Sequence, residues 1–469
     1  MALKDRRGIP VSTGNRRALD RYEDAIELFH GYFNDQLAAI DAAMAEDPDF
    51  VLGHCFKAGV MLTATDKGAQ AGLEASVAAA EALWNRANER ERGHIAAARA
   101  WAEGEFARAV ELYGAVLADY PRDSLALQLA HLGDFYLGQS GQLRDRVART
   151  LWAWDERVPG YGYVLGMHAF GLEEMGDYGR AEERGRQALA LNPRDPWAVH
   201  AVAHVMEMQA RLAEGIAWLA GRSKDWAPDN GFAFHNWWHL ALYHLDLGEW
   251  DQVLAIYDGQ IRPRPSEIAL EMVDASALLW RLHLRGAPVG ERWRELADAW
   301  AGKAEDAYYA FNDAHAMMAF LADGREEAAA ALLARLERRA AERGTNAALV
   351  AEVGLPLCRA LHAFGRADYG TAVDILMPLR PIAHRFGGSH AQRDVLSLTL
   401  LEAAIRAGLG GIANGLASER TELKPGSPLA WSFAARARHL LGDEAGAGAA
   451  ATREADALAA FRPAGHWPG

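Results

Sequence analysis

Cysteine is nearly absent from this sequence, with Cys55 and Cys358 as the only two copies in 469 residues. Thiols so few and so far apart exclude a disulfide framework and any paired-cysteine metal motif. The N-terminus has charged residues but no apolar segment behind them, so no secretory signal is expected. From these features we predict a reducing, cytoplasmic location.

Basic charge and long apolar runs are scarce as well. Lys and Arg number 49 against 63 Asp and Glu, which gives a formal net charge of −14. Nucleic acids and anionic membrane surfaces both attract basic faces, so neither is expected as a partner. No stretch approaches the 18 uncharged apolar residues of a transmembrane helix, so no membrane span is predicted.

Alternating β-branched segments are also missing, which argues against a sheet. The chain instead has a recurring short turn between amphipathic segments rich in Ala, Leu, Glu and Arg. Five copies of this turn begin 37, 35, 34 and 38 residues apart and are Gly104-Glu-Phe106, Gly141-Gln-Leu143, Gly176-Asp-Tyr178, Ala210-Arg-Leu212 and Gly248-Glu-Trp250. These intervals bracket the 34-residue period of tetratricopeptide (TPR) repeats, in which two helices, A and B, form each unit.

In most copies a small or β-branched residue follows five positions after the start of the turn, where it would let helix B press against helix A. These residues are Ala109, Ala181, Gly215 and Val253, and later turns at Gly324, Tyr369 and Gly442 keep the pattern. We therefore predict an all-α protein, a right-handed α-solenoid of TPR-like helix hairpins. Residues 1–258 would form an N-terminal array and residues 259–469 a divergent C-terminal array continuous with it. The connection at 258–267, which contains two prolines, is expected to be irregular, and 463–469 to be a frayed tail.

Paired histidines mark two consecutive A helices, His200 and His204 in the first and His235 and His239 in the second. Their i and i+4 spacing puts each pair on one helical face, and counting back from the turns places all four within about 100° of arc. Neighbouring A helices pack about 8–10 Å apart, so the four side chains are predicted to converge. Imidazoles in that arrangement can bind a divalent metal ion, the one cofactor that the pattern suggests. The alternative is that they are polar spacers packed against tryptophans.

Further polar and aromatic residues fall on predicted A helices and extend the candidate site. A carboxylate beside the histidines would complete a metal site or act as a base. Besides the four histidines we predict as catalytic residues Glu207, Asp274, Asp313, His315, His390 and Asp394, and as substrate-binding residues Trp237, Trp238, His168, Asp134 and Arg393. For the isolated positions, a satisfied buried polar residue is the competing explanation.

The segments that carry these residues resemble the tetratricopeptide repeat protein 38 family. The similar stretches are His200-Ala-Val-Ala-His204-Val-Met-Glu207-Met, Glu214-Gly215-Ile-Ala-Trp218-Leu, His235-Asn-Trp237-Trp238-His239-Leu-Ala-Leu, Asp274-Ala-Ser-Ala-Leu-Leu-Trp280-Arg-Leu, Asp313-Ala-His315-Ala-Met-Met and Ser389-His390-Ala-Gln392-Arg393-Asp394. The resemblance extends over most of the chain and implies the α-solenoid fold. It implies no established activity, so no catalytic role is taken from it.

Two functions compete at this point. In the first, the superhelix closes around a cavity that binds a small molecule, with acid/base or metal-assisted hydrolysis by the histidines and carboxylates. In the second, the chain is a protein-interaction scaffold without catalysis, the usual role of such repeats. The predicted A helices offer His, Trp and Asp with little basic charge, so we favour the first and expect a small-molecule ligand rather than a peptide. A homodimer is compatible with either function.

Overall fold

Paired antiparallel helices make up the chain from end to end in the computed structural model, which describes residues 3–461. That range contains no β-strand, only two isolated backbone bridges. The prediction of an all-α solenoid of TPR-like hairpins is therefore confirmed. The predicted tail at 463–469 lies outside the described residues.

The helices follow one another with short connections. The first ten are α1 (Arg16–His30), α2 (Gln36–Glu46), α3 (Val51–Thr63), α4 (Gln70–Ala82), α5 (Glu89–Ala102), α6 (Phe106–Asp119), α7 (Ser124–Tyr136), α8 (Ser140–Thr150), α9 (Tyr161–Glu174) and α10 (Tyr178–Leu191). The next eight are α11 (Pro196–Met208), α12 (Leu212–Ala220), α13 (Ser223–Trp226), α14 (Ala233–Asp246), α15 (Trp250–Ile256), α16 (Ala269–Leu284), α17 (Arg292–Ala301) and α18 (Ala310–Ala322). The last eight are α19 (Glu326–Ala340), α20 (Thr345–Leu349), α21 (Leu355–Gly365), α22 (Tyr369–Leu379), α23 (His390–Arg406), α24 (Gly410–Leu423), α25 (Pro428–Leu440) and α26 (Glu444–Phe461). Short 3₁₀ or π segments occur at Lys67–Ala69, Leu151–Ala153, Tyr257–Ile261, Val350–Gly354 and Arg380–Phe386.

At four of the five predicted turns a residue with positive φ is followed two positions later by the start of helix B. Gly104 has φ +83° and helix α6 begins at Phe106, while Ala210 takes the same conformation with φ +53°. The predicted turn at Gly141 is wrong, because Gly141 already lies in α8 and the left-handed residue is Gly138, with φ +63°. With that correction the first five turns alternate between spacings of 34 and 38 residues.

The small residues after the turns lie where helix B meets helix A, as predicted. Ala109, Ala181 and Val253 have no exposed surface. A Cβ atom added to Gly215 would lie 2.2 Å from Cζ of Tyr243, so only glycine allows α12 to approach α14 this closely. Close packing at these positions is what stacks one hairpin on the next.

The superhelix closes on itself, so its inner face is not an open groove. The Asn230 side chain donates a hydrogen bond to the carbonyl oxygen of Gly31 (2.8 Å), 199 residues away along the chain. Across another such junction, the Tyr309 hydroxyl donates to the carbonyl oxygen of Tyr136 (2.8 Å), 173 residues away. The inner A helices, including α7, α9, α11, α14, α16 and α18, are consequently buried along nearly their whole length.

The connection at 258–267 begins in the π-helical segment Tyr257–Ile261 and continues without regular structure. Arg262 anchors it with two hydrogen bonds of 2.7 Å to the Glu295 carboxylate on α17. Helices α14 and α16 pack against each other across the connection. The division into two arrays at residue 258 stays a prediction.

Length and composition alone would allow the segment Thr345–Gly365 to cross a membrane. The sequence-based prediction, which required a long run without charged residues, did not include this segment. Its most apolar window has a mean hydropathy of 1.4, and 56% of that window is buried inside the protein. The segment packs against α18 and α19. A buried core helix passes the same test, so this is weak evidence for a span.

Candidate functional site

The four predicted histidines converge in the core. His200 and His204 extend from α11 and His235 and His239 from α14, and one ring nitrogen of each lies within 4.8 Å of the others. The closest approach is 3.1 Å, between Nε2 of His200 and Nε2 of His235. The predicted convergence is present in the structure, and we call these four residues the histidine cluster.

Two carboxylates outside the cluster fix the orientation of two of its rings. Nδ1 of His235 lies 2.6 Å from Oδ2 of Asp274, and Nδ1 of His239 lies 2.9 Å from Oε2 of Glu207. The Nδ1 atoms therefore carry the protons, and the Nε2 lone pairs of both rings face the other histidines. Asp274 and Glu207 hold the tautomers in the way that carboxylates orient metal-binding imidazoles in known sites.

Several nitrogens of the histidine cluster have no hydrogen-bond partner. They are Nδ1 of His200, both ring nitrogens of His204 and Nε2 of His239. Burial, together with neighbouring imidazoles, lowers the pKa of all three rings well below the usual value, so they are neutral near pH 7. Each unsatisfied buried polar atom costs about 1–3 kcal/mol, so a group of them is a costly arrangement.

Two carboxylates that the sequence analysis missed adjoin the cluster at the end of α9. Oε2 of Glu173 lies 3.5 Å from Nδ1 of His204, and neither Glu173 oxygen has a hydrogen-bond partner. Burial, reinforced by the charges of Glu174 and Glu207, raises the pKa of Glu173 well above its usual value. Glu173 precedes its turn by three residues, as Glu207 does in the next repeat, so repeat register was the signal that could have found it.

Aromatic rings enclose the cluster. Trp238 stacks on His235 with ring centroids 5.3 Å apart, and Phe170 contacts both His200 and His204. Trp237, predicted to contact a substrate, points elsewhere and packs on Trp226 instead, with ring centroids 4.8 Å apart. Successive residues of a helix are rotated by about 100°, which separates the two tryptophans.

Four other predicted site residues are not brought to the cluster. Asp134 forms a buried ion pair with Arg146 at 2.6 Å, and the ring of His315 lies 2.7 Å from the carbonyl oxygen of Phe311. His168 is buried on α9, where its pKa falls to about 4 because of burial and nearby arginines. Asp313 is buried on α18, and burial raises its pKa to about 7. These positions are separate buried polar sites, and the competing explanation of a satisfied buried residue fits Asp134, whereas His168, Asp313 and His315 each keep one unpartnered atom.

The remaining three, His390, Arg393 and Asp394, lie on α23 at the protein surface. They line a groove of about 540 Å³ between α22, the segment Arg380–Phe386 and α23, which we call the α22–α23 groove. Glu174 links this groove to the end of α9, since it accepts hydrogen bonds from the His390 backbone (2.9 Å) and the Arg393 side chain (3.3 Å). Asp394 is held by Arg420 at 2.7 and 2.8 Å.

A second surface cavity, of about 510 Å³, adjoins the groove on the other side of the Arg380–Phe386 segment. His384 lines both cavities. The second cavity is bounded by the start of α8 and by residues Thr345 to Glu352. The two cavities therefore adjoin at His384.

No protein-family model matches the chain. Among solved structures, the human IFIT1 dimer with m7Gppp-AAAA is 12% identical over 96% of each chain, with a TM-score of 0.42. Yeast Tom70 is 13% identical over 94% of this chain and 96% of its own, with a TM-score of 0.32. A complex of Naa15/Naa10 bound to HypK is 14% identical over 92% of this chain and 68% of that chain, with a TM-score of 0.25. At such identities the likeness concerns the TPR-like fold alone, and the specific resemblance to the tetratricopeptide repeat protein 38 family stays a prediction.

The expectation of a small-molecule ligand in preference to a peptide, with nucleic acid excluded, is wrong. The similar solved structures contain RNA in the IFIT1 complexes and protein in the Naa15/Naa10 complex with HypK. The expectation assumed that the histidine faces would line a cavity. Instead, closure of the superhelix packs the rings against one another with centroids 4.4–4.9 Å apart, so they occupy the space that a small organic molecule would need.

Proposed function

We propose that this protein is a TPR-like scaffold that binds an acidic, extended segment of a partner protein along the α22–α23 groove. The observation that carries the proposal is the pair of surface cavities that meet at His384. Two adjoining surface cavities would accept successive residues of an extended chain, whereas the enclosed core of the solenoid offers no such entry. The resemblance to the tetratricopeptide repeat protein 38 family supports the repeat architecture and adds no activity.

The groove combines apolar contact surface with basic side chains. Met377, 37% exposed, contributes apolar surface from α22. Arg380 and Arg393 contribute guanidinium groups, which pair with Glu419 and Glu174 in the free protein, so a partner carboxylate would bind by displacing one of these internal carboxylates. Both kinds of side chain contribute to peptide binding. Apolar contacts add affinity, and charged contacts fix which peptide residue lies at each point of the groove.

The electrostatics of the groove favour an anionic partner. The pKa of His384 is lowered by burial and then by the positive charges of Arg393 and Arg385. The carboxylate of Asp394, which also lines the groove, is paired with Arg420. The positive field of Arg393 and Arg385 at His384, in a chain with a net charge of −14, would attract the acidic residues of a partner segment.

Metal-assisted hydrolysis at the histidine cluster has less support. A catalytic metal site keeps one coordination position open to water or substrate. The four histidines are buried on all sides, with 0–6% of their surface exposed. Substrate access to that point would require the solenoid to open.

Selection of a displayed random peptide library on the purified protein tests the proposal. Enriched peptides should combine Asp or Glu with apolar residues, and their affinity, measured by fluorescence anisotropy, should fall about tenfold or more in Arg380→Glu. Arg157→Glu is the matched control, because the Arg157 side chain is 90% exposed and lies outside both cavities. The control should bind the peptides as the unmodified protein does.

Two results would overturn the proposal. One is that no peptide is enriched, or that enriched peptides bind Arg380→Glu and the unmodified protein equally. The other is that a single-stranded 5′-triphosphate RNA, assayed in parallel, binds and depends on Arg380 while no peptide does. The latter would make the groove an RNA site.

A further inference from the structure

We propose that His200, His204, His235 and His239 bind one divalent transition-metal ion of the zinc class in the core of the solenoid. This inference is independent of the groove, since it rests on different residues on α11 and α14. The cluster supplies four imidazole rings with one nitrogen each that can reach a common centre, and imidazole is a preferred ligand of Zn²⁺, Co²⁺ and Ni²⁺.

The spacing of the nitrogens suits a tetrahedral ion. Metal–nitrogen bonds of about 2.0–2.1 Å separate two ligand atoms of a tetrahedral site by about 3.4 Å. The Nε2 atoms of His200 and His235 lie 3.1 Å apart, and all four ligand nitrogens lie within 4.8 Å of one another. Side-chain rotations that shift the nitrogens by about 1 Å would complete the coordination.

The outer carboxylates fit the charge and the orientation that a metal ion requires. Nδ1 of His235 and Nδ1 of His239 are held by Asp274 and Glu207, so the Nε2 lone pairs are directed at the centre of the cluster. These two carboxylates would also balance the two positive charges of the ion, which buried neutral imidazoles alone cannot do. Nε2 of His239 and one of the two unpartnered nitrogens of His204 would acquire a partner.

A metal at this position would act as a structural clamp. It would join α11 to α14, the A helices of consecutive repeats, at the point where the inner face is enclosed by Phe170 and Trp238. A metal ion that binds the folded protein but not the unfolded chain raises the stability of the folded protein by mass action. We therefore expect a higher melting temperature for the metal-loaded protein than for the chelator-treated protein.

The experiment is elemental analysis of protein purified without a histidine tag, followed by loading of the chelator-treated protein with Zn²⁺ or Co²⁺. We expect close to one metal ion per chain and an X-ray absorption spectrum with imidazole nitrogens at about 2.0–2.1 Å. In His239→Gln the bound metal should fall at least tenfold. In Asp274→Asn, which leaves all four ligands in place, affinity should fall about 10- to 100-fold.

His315→Gln is the matched control, because His315 is equally buried and has an unpartnered Nε2 but lies outside the cluster. It should retain the metal. Absence of metal after loading, a spectrum without imidazole ligands, or full retention of metal by His239→Gln would each overturn the inference. Because the absorption spectrum is recorded on the unmodified protein, the test stands even where a variant fails to fold.

Discussion

Replacing Gly138 by alanine tests the closure of the superhelix, which encloses the histidine cluster and shapes the α22–α23 groove. A Cβ atom at Gly138 would lie 1.6 Å from the carbonyl oxygen of His384, a backbone atom that cannot rotate away. The segment that carries His384 would have to move by more than about 1 Å. Gly138 also has φ +63°, which alanine adopts only with strain.

The expected loss of stability in Gly138→Ala has two parts, the backbone strain at positive φ and the overpacking against His384. The positive φ costs about 1–2 kcal/mol for a residue with a Cβ atom, and overpacking costs typically about 1–3 kcal/mol more. Gly176→Ala is the matched control, since Gly176 has φ +77° at the equivalent turn of another repeat and a Cβ atom there would meet nothing within 4 Å. Gly138→Ala should therefore be less stable than Gly176→Ala by about 1–3 kcal/mol.

Urea unfolding followed by circular dichroism gives the comparison, since a lower midpoint at constant slope reports a loss of stability. Hydrogen exchange should in addition show faster exchange around His384 in Gly138→Ala only. Equal losses in the two variants would refute the reasoning. They would mean that the loop at Gly138 and the segment at His384 are not in contact in the folded protein.

Two further predictions concern buried charge. His131 has both ring nitrogens unpartnered and a pKa lowered to about 3 by burial and then by Arg146. The pKa of His131 is lower in the folded protein than in the unfolded chain, so below about pH 6.5 the unfolded chain takes up a proton that the folded protein does not. The free energy of unfolding therefore decreases as the pH falls from about 6.5 toward 3. Between pH 7 and pH 5 the free energy of unfolding, measured with urea, should fall by about 2 kcal/mol more in the unmodified protein than in His131→Leu. A stability difference between the two proteins that is the same at both pH values would contradict this. Asp123→Ala should cost about 3–5 kcal/mol in the same assay, because it leaves the buried Arg90 guanidinium with Asp5 as its remaining carboxylate. A loss below about 1 kcal/mol would show that Arg90 is not buried as described.

Local repetition made the helices and the histidine cluster predictable. A residue with positive φ ends each helix A, and the count back from that residue fixes which face a side chain occupies, as it did for His200 and His239. The same count would have identified Glu173, which occupies the register position of Glu207 one repeat earlier. It also separates Trp238, which stacks on the cluster, from Trp237, which does not.

Closure of the superhelix was not predictable in the same way. It depends on the small rotation between successive repeats, summed over many of them, and its contacts join residues 173 to 199 positions apart. No local sequence pattern predicts the total rotation accumulated over many repeats. For this reason the sequence analysis expected an accessible cavity lined by histidines, whereas the structure has an enclosed core and grooves on its outside.

Closure also explains why the histidine cluster, and not another buried polar group, is assigned a ligand. In an open superhelix, water would hydrate the inward polar residues of the A helices, but closure removes that water and each group must find another partner. Asp134 finds Arg146, and the Arg281 guanidinium donates to the carbonyl oxygen of Ala391 at 2.7 Å. Unpartnered nitrogens also occur at single rings such as His131, but among the described residues only at the histidine cluster do they belong to adjacent rings: Nδ1 of His200, both nitrogens of His204 and Nε2 of His239. One divalent ion would bind one nitrogen from each of the four rings, including Nε2 of His239 and one nitrogen of His204, and no single protein side chain has the geometry to do so.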